Sequence, residues 1–109
     1  VSFITGQPNQ LPQQALTKCK VTKIPLSTIE TLSKDNIEIE RLRRKIAENF
    51  FVIKEKRELE MALLQAEERY AIFQKEFPNV EQEIPQYHIA SYLGISPTQL
   101  SRIRSNPKT

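Results

Sequence analysis

The apolar positions of residues 84–106, I-P-Q-Y-H-I-A-S-Y-L-G-I-S-P-T-Q-L-S-R-I-R-S-N, fall into two short helical periods separated by a corner. Ile89 and Leu93 stand four apart, on one face of a first helix; Leu100 and Ile103 stand three apart, on one face of a second. Ile95 completes the apolar set. Gly94 sits between the two periods, where a tight turn needs positive φ and only glycine takes it without penalty. Ala90 is small, as a close helix crossing requires. Ser96 is placed to cap the second helix, Pro97 suits its first turn, and Gln99 completes a capping box. Pro85 marks the start of the first helix in the same way. The pattern predicts a helix-turn-helix. With Leu100 and Ile103 turned inward, a rotation of about 100° per residue turns Thr98, Ser101, Arg102 and Ser105 outward, flanked by Gln99 and Arg104.

Residues 37–60 predict the longest helix, free of Gly and Pro. Ile39, Leu42, Ile46, Asn49 and Ile53 alternate by three and four, a heptad seam, with Phe50 and Phe51 beside it. Glu40 with Arg44, Lys54 with Glu58, and Lys56 with Glu60 form i,i+4 pairs on its flanks. Such a helix is ~36 Å long at ~1.5 Å per residue. Its seam covers about two heptads, and Asn49 within it would fix register, as a polar core residue does in dimers. Little else in the chain could cover it, so a homodimer is expected; the other reading is a long core helix within one chain. Residues 61–77 predict a further helix, with a kink near Leu64 and Gln65. Leu63, Ala66, Tyr70, Phe73 and Phe77 form its apolar stripe, the floor for the helix-turn-helix. Pro78 stops it, and residues 78–84 are a short connector.

The N-terminal quarter differs. Gly6, Pro8 and Pro12 oppose helix, and residues 15–24 alternate Cys19, Val21 and Ile24 with Lys18, Lys20 and Lys23, as in a half-buried strand. One or two strands make no stable sheet alone, so they need a partner chain or upstream sequence. Cys19 reads as a small packing residue. Residues 25–32 suggest a short helix with Ser27 and Glu30 as a capping box and Ile29 and Leu32 as its apolar side. After a break at residues 33–36, Asp35 is the expected cap of the long helix, with Glu38 three residues on.

Composition changes this picture in a few places. The chain has 109 residues, enough for one small domain or two half-domains, and begins at Val1, as a C-terminal fragment would. Its net charge of +3 is unevenly spread: all 13 acidic residues lie between Glu30 and Glu83, while Arg102, Arg104 and Lys108 follow. The helix-turn-helix is therefore the part that could approach phosphate without repulsion. The single cysteine allows no internal disulfide and fits a reducing cytoplasm, and no apolar run is long enough for a membrane span. Gly6 and Gly94 are the only glycines, which excludes a P-loop or a G-x-G-x-x-G loop. His88 and Cys19 lie in different segments, so no zinc site is expected, and no metal, cofactor or catalysis is assigned.

In a helix-turn-helix the second helix enters the major groove of double-stranded DNA with its N-terminal residues at base edges. Thr98, Ser101, Arg102 and Ser105 are therefore the candidates for base readout, and Gln99, Arg104, Lys108 and His88 for phosphate contacts. The alternative is a helical homodimerisation or protein-interaction module whose hairpin does not bind DNA.

Residues 66–70 (A-E-E-R-Y), 84–96 (I-P-Q-Y-H-I-A-S-Y-L-G-I-S) and 100–104 (L-S-R-I-R) resemble the C-terminal part of Crp/Fnr-type bacterial transcription regulators. The long helix resembles that family's dimerisation helix. Residues 2–8 (S-F-I-T-G-Q-P), followed by residues 15–24, resemble the end of its effector-binding β-roll, a cyclic-nucleotide-binding-like domain. The resemblance implies a homodimeric regulator of a two-fold symmetric site, read through residues 97–105. It carries the family's base-reading positions onto Pro97, Thr98 and Arg102. Pro97 departs from the long polar residue common there and offers no hydrogen bond to a base edge. Asn9 and Gln10 stand where nucleotide-binding members place a phosphate-binding Arg-Ser pair, so no cyclic nucleotide is expected to bind; the effector is unspecified. The β-hairpin wing is expected to be reduced or missing. The expected architecture is mainly α: a β remnant in residues 1–25, a short helix and the dimerisation helix in 26–60, and the DNA-binding domain in 61–109.

Overall fold

The computed structural model describes residues 2–106. The protein is mainly helical: α1 (Ser2–Thr5), α2 (Leu26–Lys34), α3 (Ile37–Leu63), α4 (Ala66–Glu76), α5 (Val80–Glu83), α6 (Gln86–Leu93) and α7 (Pro97–Ser105). The chain forms two compact units that divide between Phe51 and Val52, inside α3.

In the first unit, no strand forms among the described residues, which corrects the expected β remnant. Residues 6–25 are irregular and exposed, Val21 and Ile24 included, and the Cys19 thiol donates to the Thr17 carbonyl at the surface. Cys19 is thus not a packing residue. Alternation alone buries nothing when no second strand completes the ladder. α2 is capped two residues earlier than the expected Ser27 cap. Pro25 occupies the cap position and its carbonyl accepts the Thr28 and Ile29 N–H groups, so the Ser27–Glu30 box does not form. Its inward row is Leu26, Ile29 and Ser33, while Leu32 stands exposed. The buried Ser33 hydroxyl donates to the Ile29 carbonyl at 2.8 Å and accepts from the Arg43 guanidinium at 3.2 Å, tying α2 to α3.

Because α2 runs on to Lys34, Asp35 becomes its C-cap and is not free to cap α3. Asn36 caps α3 instead: its Oδ1 accepts the Glu38 N–H at 3.0 Å, and its carbonyl accepts from Ile39 and Glu40. Along α3 the pairs Lys54–Glu58 and Lys56–Glu60 form as expected, but Glu40 pairs with Arg43, and Arg44 with Glu48. Of these, Arg44–Glu48 and Lys54–Glu58 are exposed on both sides and contribute only tenths of a kcal/mol each. No residue of α3 is buried in the single chain.

In the second unit the core is Tyr70, Phe73, Ile89, Ala90, Leu93 and Leu100, with Val80, Ile84, Ile95 and Ile103 packed against it. The last turns of α3 belong here. The Arg57 guanidinium lies 3.9 Å from the Tyr92 ring centroid, Lys56 pairs with Glu76, and the Met61 methyl abuts Gly94. The expected kink is a full break at Leu64 and Gln65, where the Glu68 carboxylate accepts the Gln65 N–H at 2.8 Å in a capping-box arrangement that starts α4. This break shifts the helical phase. Tyr70 and Phe73 are buried and Ala66 half-buried, but Leu63, on the far side of the break, is exposed, as is much of Phe77 at the C-cap. Residues 78–84 contain the one-turn α5, which leaves no hairpin in the connector.

Candidate nucleic-acid interface

The corner between α6 and α7 is built as the sequence dictates. Gly94 takes φ 70° and ψ 33°, the left-handed region. Its N–H donates to the Ser91 carbonyl at 3.1 Å, and the Ile95 N–H to the Ala90 carbonyl at 3.0 Å, the paired closure of a Schellman motif. The positive φ is what requires glycine; a Cβ here would also sit 2.5 Å from the Met61 Cε, the end of a flexible side chain that would have to move aside. Arg69 secures the end of α6 from the α4 side: its Nε donates to the Leu93 carbonyl at 3.1 Å, and its guanidinium also reaches the Leu64 carbonyl.

α7 opens on the Ser96–Gln99 box. Ser96 Oγ accepts the Gln99 N–H at 3.1 Å, and Gln99 Oε1 accepts the Ser96 N–H at 2.9 Å. Pro97 occupies the first turn, and Leu100 is fully buried beneath it. The inward facing of Leu100 and Ile103 leaves Thr98, Ser101, Arg102 and Ser105 exposed on one helix, with no acidic residue anywhere on α6 or α7. The Ser105 hydroxyl donates to the Arg102 carbonyl at 3.0 Å, so its remaining hydrogen-bonding capacity is as an acceptor.

The flanking candidates are placed less uniformly. Gln99 spends its side-chain oxygen on the cap, which leaves its amide donors available. His88 is half-buried on α6, its ring 4.1 Å from that of Tyr87 between centroids. Lys108 lies outside the described residues. Arg104 turns sideways, its Nε 4.0 Å from Glu81 Oε1. That carboxylate is held from α4: the Tyr70 hydroxyl donates to Oε1 at 2.6 Å and the Gln74 amide to Oε2 at 3.2 Å. Burial, and then the bond to Glu81, push the Tyr70 phenol up to about 12, while Arg104 acts in the opposite direction.

The Tyr70–Glu81–Arg104 group, the Arg69 tie and the Met61–Gly94 contact are absent from the sequence reading. A buried tyrosine needs a partner for its hydroxyl, so Tyr70 signals that one exists. Periodicity does not say that it comes from a helix eleven residues on.

The seam candidates share α3. Ile39 is half-buried, Leu42, Ile46 and Ile53 are 53%, 48% and 54% exposed, and Asn49 is exposed. Phe50 and Phe51, at 67% and 68%, are more exposed still. Among the described residues, no three His, Cys, Asp or Glu side chains gather in a way that could hold a metal ion, and no helix is long and apolar enough to cross a membrane. The chain matches no family model, and no curated protein or solved structure proves similar to it.

Proposed function

We propose that this protein is a homodimeric, cytoplasmic DNA-binding transcription regulator of the Crp/Fnr type. The observation that carries this reading is the outward face of α7. Thr98, Ser101, Arg102 and Ser105 stand together on a rigidly capped helix whose opposite face is locked by Leu100. Ser and Thr hydroxyls serve bases or phosphates, and an arginine pairs bidentately with guanine. Gln99 and His88 flank that face and supply phosphate contacts. The role is binding and not catalysis.

Dimerisation is read from α3, where Leu42, Ile46 and Ile53 recur at heptad spacing with their side chains half in solvent. Two copies paired through this row would present two recognition helices to a two-fold symmetric site. The same row favours the second reading, a helical homodimer that engages another protein and not DNA.

The test is duplex affinity against salt concentration, followed by selection of bound duplexes from a random pool. Phosphate contacts give a steep loss of affinity with salt, and selection should return a two-fold symmetric sequence. A dimer with no salt-dependent affinity for any duplex would leave the interaction module. Cyclic AMP is expected to leave the melting temperature unchanged, since Asn9 and Gln10 offer no cation to its phosphate. A saturable rise at micromolar nucleotide would overturn that expectation, because a ligand that binds only the folded state raises its melting temperature.

A further inference from the structure

We propose that Arg104 is a positioning residue rather than a phosphate contact: Glu81 holds it, and through it fixes the last turn of the recognition helix. This rests on the DNA-binding reading of α7 and assigns a new role within it.

The Glu81 carboxylate is anchored before Arg104 reaches it. Tyr70 and Gln74, one turn apart on α4, donate to its two oxygens, and the Gln74 amide also donates to the Tyr70 hydroxyl at 3.1 Å. Val80, the neighbour of Glu81, packs against the core, so α5 cannot swing away freely. The Glu81 side chain is only 19% exposed, against 36% for Arg104. A carboxylate so far from water relies on a nearby cation, and Arg104 supplies one in the second unit. Moving Arg104 onto a phosphate would leave this half-buried carboxylate without its cation and beside a polyanion, which is unfavourable.

The helix has three other points of attachment. The Ser96–Gln99 box fixes its start, Leu100 fixes its middle in the core, and the half-buried Ile103 packs its last turn against the core. Apolar packing is non-directional, so the ion pair adds a directional restraint on how that turn is rotated. Arg102 and Ser105, two of the four readout candidates, lie in that turn on either side of Arg104. The Glu81–Arg104 pair therefore sets where these two side chains fall across the groove.

The experiment measures duplex affinity against salt on a selected and a scrambled sequence. It compares the natural chain with Arg104→Ala, Arg104→Lys, Glu81→Gln and the double variant Arg104→Ala/Glu81→Gln, each checked for helicity and melting. Arg104→Ala should keep the salt slope and lose discrimination by about fivefold or more, the lower end of what one bidentate contact contributes. Glu81→Gln should do the same although it removes an acid, and the double variant should be no worse than either single one, because the pair acts as a unit. Arg104→Lys, which keeps the charge, should recover most of the discrimination. Should Arg104→Ala fail to fold, Glu81→Gln carries the same comparison. A salt slope lowered by about one unit with discrimination intact would make Arg104 a phosphate contact and overturn the proposal. So would a Glu81→Gln chain that binds every duplex more tightly without losing discrimination. If the natural chain binds no duplex, the DNA-binding reading itself fails, a result distinct from either slope outcome.

Discussion

Gly94 and Ser96 stand two residues apart and hold the corner by different physics. Gly94 is there for its backbone. Any L side chain in the left-handed region loses about 1–2 kcal/mol, and the Met61 methyl must also yield to a new Cβ. Ser96 is there for its hydroxyl, which satisfies an otherwise orphaned N–H at the start of α7. Gly94→Ala should therefore lower the unfolding free energy by about 1–2 kcal/mol in denaturant titration, and Ser96→Ala by about 1 kcal/mol. Met61→Ala should relieve only the steric part of the Gly94→Ala defect, because the φ of 70° remains. Tyr70 gives a pH test with a definite sign. Its phenol ionises near its usual value of 10.0 in the unfolded chain and at about 12 when folded. The folded state thus holds the proton longer, and its contribution to stability is complete below pH 10. Stability should fall as pH rises from about 10 to about 12. Phenol titration of the folded protein should show a step near 12 that vanishes in Tyr70→Phe. A chain whose alkaline stability profile is untouched by that substitution would show that Tyr70 is not the titrating group.

Among the elements, α7 is the one where local sequence and tertiary setting agree at most positions. Arg102 shares its exposed face with Thr98, opposite Leu100 and Ile103. Arg102→Ala should cost about 1–3 kcal/mol of discrimination at one base pair in each half-site. Competition between selected and single-mismatch duplexes measures it, and unchanged discrimination would mean that the recognition face is drawn wrongly. Helices α6 and α7 were legible in the sequence because their signals are local: a glycine, a capping box, and apolar spacings of three and four. The break at Leu64 was legible only as a kink, since the Gln65–Glu68 box uses a residue type that is rare at that position. The expected strand at residues 15–24 misled for the opposite reason. Alternation describes a surface to be covered, and the described chain brings nothing to cover it. The caps that moved, from Ser27 to Pro25 and from Asp35 to Asn36, followed from where the preceding segment stopped. The placement of Arg104 required knowing that Glu81 and Tyr70 meet in space, which no periodicity records.

For the whole molecule, the decisive variant is Ile46→Asp. Ile46 is 48% exposed in the single chain, so an aspartate there stays hydrated in a monomer. In a paired seam the same charge would be buried without a partner. Sedimentation should show a shift from dimer to monomer with helix content retained; a folded variant that remains dimeric would place the interface elsewhere. The core of the second unit has a consequence for time rather than affinity. All its buried residues fall between Tyr70 and Leu100, and only short connectors separate its helices along the chain. Closing such short loops costs little chain entropy, and proteins dominated by sequence-near contacts fold within microseconds to milliseconds. The second unit should therefore reach its native packing quickly, with its fluorescence or infrared relaxation after a temperature jump complete within a few milliseconds. If the α3 seam pairs as proposed, the search for a partner chain is the slow event, and the rate at which the dimer appears should rise with protein concentration while the early relaxation does not.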